Sequence, residues 1–490
     1  MRISVVELKT PELEFGDSTS RFKDPREGLA SAGPFSLRFG RAHKSQIRLG
    51  LIGPTNLLAD ARHWYRRCEK EIFTGKPKGP MYLDFPGFER VFQSVLVLNQ
   101  AWDLDIGHEL ERALDCSGRA RFEQVLDVYS SAIKKLSQSQ NLDVITCCLP
   151  YEVITTCWSL TRKLTSVERR ELSTAKRAER SQQLSFDSLW ATDDTSEELI
   201  QRDFRRALKA RAMEANKPIQ IVTPGLLYDD QANQDPATRA WNSNVALFYK
   251  GGGIPWRVRS EGPETCFVGI SFHYLRTNKS DLMYSSLAQA FSSEGEGFAL
   301  KGDSVPRAPG AGHTAYLTSG QAATLGRKIL NEYQERTGKK PTRLVLHKTT
   351  QFTKDERQGF SAEFDHIPLV EFINITPSDF RLVQRSAYPP KRGTLCRIND
   401  DATYLFTTGF IPEWHTYPGM HIPVPLKIIT DRDTDIVRAA SDVLALARMN
   451  WNTAFDTTGM PITLRFARQV GGIMAEVGQR EPSPSFRFYM

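Results

Sequence analysis

Four polar side chains stand at a spacing that suits one anionic group. Arg205 and Lys209 lie four residues apart in RDFRRALKARAMEANK, so on a helix both cationic heads share one face. Gln220 follows within the apolar run 218–222, and Lys250 closes AWNSNVALFYK just before Gly251, Gly252 and Gly253. Arginine offers a fork of donors and lysine a compact charge, a combination that holds phosphate oxygens. The amide of Gln220 adds a donor and an acceptor. The same residues also read as a plain solvated helix face, the commoner meaning of a charge run.

The surrounding pattern supplies elements that can position these groups. Strands at Ile47–Ile52, Val95–Leu98 and Val144–Leu149 alternate with helices at Asn56–Phe73 and Phe122–Leu136, which indicates a parallel α/β sheet. A dinucleotide site is the obvious alternative. Yet no G-x-G-x-x-G follows the first strand, and no G-x-x-x-x-G-K-[ST] occurs anywhere. Residues 1–45, with Pro11, Pro25 and Pro34, read as an arm with little core of its own. The stretch 162–198 is a charged surface insertion: Arg162 to Arg180 holds seven basic and three acidic residues. Beyond Trp256 the composition shifts to strands at Cys266–Phe272, Ser285–Phe291, Arg343–Leu346, Ile367–Ile375, Gly393–Arg397 and Tyr404–Thr408. Helices are expected at Ala315–Tyr333, Thr434–Met449 and Ile462–Met474.

With 490 residues the chain has room for two or three domains, and 40% hydrophobic with 25% charged residues is a globular composition. No apolar run is long enough to span a membrane, and the first residues lack a secretory h-region. Seven cysteines without a Cys-x-x-Cys pair point to reduced thiols in the cytoplasm. The nine histidines form no metal-spaced cluster, and no H-E-x-x-H occurs. A net charge of +7 is modest, so any nucleic acid must be held in a focal groove.

The order Arg-x3-Lys, Gln in a Pro-Ile-Gln strand, then Tyr249-Lys250-Gly251-Gly252-Gly253-Ile254-Pro255-Trp256 resembles the MID domain of Argonaute and PIWI proteins. The resemblance implies that Arg205, Lys209, Gln220 and Lys250 hold the 5′-phosphate of a guide strand. Arg205 stands where the family more often has Tyr or His. It also implies a Mg²⁺ ion at that phosphate, held in part by the Gln220 carbonyl and by the carboxylate of Met490, which the apolar stretch 486–490 would carry inward. Fold and domains follow: a 1–45 arm, a Rossmann-like MID domain over 46–260, and a ribonuclease-H-like PIWI domain over 261–490.

In nuclease members of that family, carboxylates on strand ends hold two divalent metals that activate water. The matching places here are Ser271 in Gly269-Ile270-Ser271, Thr349 in His347-Lys348-Thr349, and Arg468 after Pro461–Ala467. Hydroxyls are weak ligands for a hard cation and arginine repels one, so the resemblance implies a degenerate nuclease site. Glu294, Glu296 or Asp303 could supply a single glutamate, which cannot assemble a two-metal centre. The chain is therefore similar to short prokaryotic Argonautes. That implies a guide RNA, a single-stranded target DNA and a separate APAZ-containing effector partner (TIR, sirtuin-like or nuclease) in a heterodimer. A metal-dependent nuclease remains the other reading.

Overall fold

The computed structural model describes residues 2–76, 79–163, 199–259, 262–276, 281–291, 297–306, 315–383, 389–399, 402–419, 421–455, 459–477 and 483–490. Most of the charged insertion, together with Glu294 and Glu296, lies outside these residues, as does the side chain of Asp303.

Strand β1 (Ile3–Glu7) is followed by β2 (Gln46–Gly53), β3 (Val95–Asp105), β4 (Val144–Cys148) and β5 (Ile219–Val222). The last four form one parallel sheet in the order β3-β2-β4-β5. Each of the five residues of β4 is buried, as a central parallel strand covered by helices on both faces requires. The helix Thr55–Cys68 packs on this sheet and stops at Cys68, five residues short of the expected Phe73. Strand β3 runs on to Asp105, well beyond the apolar core Val95–Leu98 that announced it.

The second half holds β6 (Thr265–Arg276), β7 (Asp281–Phe291), β8 (Gly297–Pro306), β9 (Arg343–Lys348), β10 (Leu369–Pro377), β11 (Thr394–Ile398), β12 (Ala402–Leu405) and β13 (Leu426–Ile429). With β1 they make a nine-stranded mixed sheet ordered β1-β11-β12-β13-β10-β9-β6-β7-β8. The central strands β6, β9 and β10 run parallel, and antiparallel strands flank them. The helix Ser319–Thr337 begins later than the expected Ala315, because Thr318 and Gln321 form a capping box there.

Five helices carry or border the candidate site residues: α1 (Phe204–Glu214), α2 (Pro236–Lys250), α3 (Lys354–Glu363), α4 (Ile436–Leu446) and α5 (Ile462–Val477). Helix α5 lies across β6 and against α1, joining the two sheets. Gly269 permits this approach, since a Cβ there would collide with the Thr463 carbonyl.

The first 45 residues do not form a unit apart. Strand β1 extends the large sheet through β11, and Leu13–Glu14 pairs with Arg257–Val258. Leu13, Phe15, Leu29 and Phe35 enter the core shared with Trp241, Phe248, Trp256 and Trp451. Arg26 is fully buried, paired with Asp24 at 2.7 Å and stacked 4.3 Å over the Phe455 ring. All seven cysteines are free thiols. Among the described residues, no helix is long and apolar enough to cross a membrane.

Candidate functional site

Asp203 caps α1 by accepting from the Arg206 amide at 2.9 Å, which fixes where the first turn starts. Arg205 and Lys209 then follow one turn apart on the same side. Arg205 is exposed and lies 5.7 Å from the Trp158 ring, while Lys209 is half-buried. On β5, Gln220 sits opposite Thr146 of β4 and is 9% exposed. Helix α2 is started by the Asp235 cap and Pro236 and ends at Lys250, where Gly251 and Gly252 turn the chain. Gly252 has φ +107, which a side chain would disfavour.

These elements bring Gln220 and Lys250 into contact. The Lys250 ammonium donates to Gln220 Oε1 at 2.7 Å, and Lys250 is only 5% exposed. The Lys209 ammonium donates to the Tyr489 carbonyl at 3.3 Å. That carbonyl belongs to the chain's last stretch, folded inward as its composition suggested. Phe486 packs against Tyr249 and Phe466 at 6.0 and 4.3 Å between ring centroids, and Met490 is 2% exposed. The carboxyl-terminal stretch thus lies against the pocket made by α1, β5 and α2.

Positive charges dominate this pocket, with Asp203 the opposing charge that acts on Lys209. Burial pushes the Lys250 ammonium down to about 7, and the positive charge of Arg205 adds to the effect. Lys209 is pushed well below the usual lysine range by burial first, then by Lys250 and Arg205. Among the described residues, no carboxylate forms an ion pair with either lysine. The carboxyl end of α2 partly favours a cation at Lys250. It does not neutralise the desolvated Lys209 and Lys250 beside the exposed Arg205. Such a cluster gains most from an anion that accepts several hydrogen bonds at once.

Gln220 Oε1 accepts from Lys250, and its second lone pair leaves it able to face a cation as well. Met490 follows Tyr489 and is 2% exposed. A cation here therefore fits only together with the oxygens of a bound phosphate, since one carboxylate is too few for an octahedral ion.

The second constellation lies in the middle of β6 and just past the carboxyl end of β9. Gly269 pairs with His347 and Ile270 with Lys348 in parallel register, so Ser271 and Thr349 follow on neighbouring strands. Ser271 shares the face of β6 that carries Gly269, and His347 on β9 is bonded through Nδ1 to Thr463 Oγ1 of α5 at 2.9 Å. Helix α5 also contains Arg468, whose side chain lies outside the described residues. Ser271 and Thr349 thus follow paired residues of neighbouring strands. Among the described residues, no group of three or more His, Cys, Asp or Glu could hold a metal. His347 is fully buried, and burial with the charge of Arg343 pushes it down to about 3, so it stays neutral.

On the opposite face, Lys348 is sealed in a box that sequence reasoning missed. Its ammonium meets Glu356 of α3 at 2.5 Å, with both side chains 1% exposed. The rings of Tyr316, Phe272 and Phe352 surround it at 4.9, 5.2 and 5.4 Å. Glu356 Oε1 also accepts from the Leu317 amide at 3.0 Å, and Oε2 caps α3 through the Thr353 amide at 2.9 Å. The signal was present: Thr353-x-x-Glu356 is a capping-box pattern. The Tyr489 carbonyl was likewise missed, because backbone acceptors leave no mark in residue types.

No family model and no curated protein matches this sequence. Solved structures do. Clostridium butyricum Argonaute, bound to a guide DNA with a 5′ deoxycytidine and a 19-mer target DNA, matches with TM-score 0.64 and 14% identity over 99% of this chain and 55% of that one. A. aeolicus Argonaute matches with TM-score 0.58 and 14% identity, again over 99% and 55%. Drosophila Piwi matches with TM-score 0.58 and 12% identity over 99% and 56%. The chain therefore spans about half the length of these structural neighbours and shares their fold. The expected α/β order, a Rossmann-like half followed by a ribonuclease-H-like half, is the architecture found.

Proposed function

We propose that the chain binds the 5′-phosphate of a guide nucleic acid at Arg205, Lys209, Gln220 and Lys250, without cutting the target itself. The observation that carries this reading is the pair Lys209 and Lys250, neither ion-paired among the described residues, beside Gln220 and the inward-folded carboxyl-terminal stretch. A terminal phosphate supplies the missing negative charge and enough oxygens for all the donors. Base pairing along the guide then recognises a complementary strand, as in other guided systems where the protein holds the backbone and pairing reads sequence. The guide is RNA and the target single-stranded invader DNA, in keeping with the resemblance to short prokaryotic Argonautes.

Ser271, Thr349 and Arg468 stand in place of metal-binding groups, so the output belongs to an effector polypeptide. That effector carries an APAZ region and a TIR or sirtuin-like enzyme, and NAD⁺ loss in an invaded cell is the consequence. Carrying the complex from 1:99 to 99:1 active needs about 5.5 kcal/mol of preference for the paired state. The experiment mixes this chain, the effector, a guide and a matched target, and follows NAD⁺ beside controls with no target and with a target mismatched near the guide 5′ end. Loss only with the matched target supports the reading. Loss in all three mixtures overturns the sensor role, and DNA cutting without NAD⁺ loss assigns a nuclease effector.

A further inference from the structure

Trp158 and Arg205 are far apart in the chain and meet beside the pocket. The antiparallel pair Ser159–Lys163 and Leu199–Asp203 closes with Ser159 opposite Asp203. One residue further out, the Phe204 amide donates to the Trp158 carbonyl at 3.0 Å, so the ladder continues into the start of α1. Asp203 then caps α1 through the Arg206 amide at 2.9 Å. Backbone bonds thereby fix Trp158 to the first turn of α1. The Trp158 ring, half-buried against the core of the parallel sheet, lies under the Arg205 guanidinium, with Cζ 5.7 Å from the ring centroid.

The arginines around this turn are engaged differently. Arg202 bonds Glu123 and Glu476, the latter at 2.9 Å, and lies 4.9 Å from the Phe122 ring. Arg206 packs on α5 at Gly472, where a Cβ would meet its guanidinium. Arg205 forms no ion pair with a carboxylate among the described residues, and its charge acts on both Lys209 and Lys250. It is exposed where Lys209 is half-buried and Lys250 buried, so it is the outermost of the three cations. An exposed arginine samples many rotamers, and attraction to a ring face narrows them. A guanidinium held in this way still donates from the edge of its plane.

We propose that Trp158 is a positioning residue for the guide: its ring holds the Arg205 guanidinium at the open side of the pocket, ready to donate to the 5′-phosphate. The inference rests on the reading that the pocket takes a phosphate. Trp158 does not touch the phosphate and acts through Arg205. Ordering a long side chain before binding lowers the entropy lost when the ligand arrives. At an exposed site a cation–π contact corresponds to a factor of about two to five in affinity.

The test measures anisotropy of 5′-phosphorylated and 5′-hydroxyl guides on the full chain carrying Trp158→Leu, Trp158→Tyr, Arg205→Ala, or Trp158→Leu with Arg205→Ala. Trp158→Leu should weaken the phosphorylated guide about two- to fivefold and leave the hydroxyl guide unchanged. Trp158→Tyr keeps a ring and should retain wild-type affinity. In the Arg205→Ala background Trp158→Leu should change nothing further, as expected when one residue acts through another. Thermal denaturation without guide reports folding, and Trp158→Met repeats the removal of the ring should the leucine variant unfold. Additive losses in the double variant, or equal weakening of both guide types, assign Trp158 to the strand itself or to the fold and overturn the positioning role. Undiminished affinity of Trp158→Leu for the phosphorylated guide overturns it too. Discrimination between the guide types in the wild type separates the two levels: its absence sinks the phosphate reading and this one with it, whereas its presence beside an inert Trp158 sinks this one alone.

Discussion

Replacing Lys250 by Met should have opposite effects on guide affinity and on stability. The ammonium donates to Gln220 Oε1 at 2.7 Å and stands beside Arg205 and Lys209, and among the described residues no carboxylate forms an ion pair with it. Met keeps the apolar stem and removes the charge. A hydrogen bond to a charged group contributes about 1.5–3 kcal/mol, so a 5′-phosphorylated guide should bind roughly 10- to 150-fold more weakly. A 5′-hydroxyl guide should hardly notice. Stability of the empty protein should rise, because an ammonium pushed down to about 7 is held at a cost. Between about pH 7 and the ordinary lysine value of about 10.4, the unfolded chain binds the extra proton and the folded one does not. Wild-type stability from this group therefore increases with pH across that window, and below it the burial penalty is felt in full. Lys250→Met should raise the melting temperature at pH 6 and flatten the rise towards pH 10. Anisotropy with the two guide types and thermal denaturation without guide measure both effects. Equal weakening of both guides, or a lower melting temperature at pH 6, would refute the reasoning.

A tag fused after Met490 should weaken guide binding, because Met490 is 2% exposed and Tyr489 bonds Lys209; an amino-terminal tag should not, and affinity measurements on both fusions decide it. Incubation with guide, complementary DNA and Mg²⁺ or Mn²⁺ should yield no cut strand, since Ser271 and Thr349 offer hydroxyls, which are weak ligands for a hard cation; cleavage at one fixed position on a gel would restore the nuclease reading. Glu356→Ala should destabilise the protein by about 3–5 kcal/mol, the cost of leaving Lys348 buried and unpaired, whereas Lys348→Met with Glu356→Leu should be nearly neutral. Denaturant unfolding of the three proteins checks this, and a mild single effect contradicts it.

Short-range pattern made some of the fold legible in the sequence. The buried run Val144–Cys148 and the 15-residue helix ending at Lys250 appear where their periodicity puts them. So do β9 and α5. Other parts depend on partners far away in the chain. Strand β1 is exposed on both faces and is a strand because β11 pairs with it, a contact spanning nearly the whole sequence. The arm lacks a core of its own, yet Phe15 and Leu29 are fully buried among residues of both halves. In the pocket, residue types suggested an anion site, but the Lys250–Gln220 bond and the Tyr489 carbonyl needed the folded chain. Lys348 reads as one more surface cation in the sequence, because the rings and the carboxylate that enclose it come from separate elements.

The central claim concerns what the pocket holds, and nucleic acid extracted from the purified chain tests it most directly. The extract is labelled with polynucleotide kinase before and after phosphatase treatment, and its length is read on a denaturing gel. The account predicts oligonucleotides that accept label only after phosphatase, and that disappear from the Lys209→Ala, Lys250→Met double variant. Oligonucleotides that label without phosphatase, retention by that variant, or a bound dinucleotide in their place would contradict it.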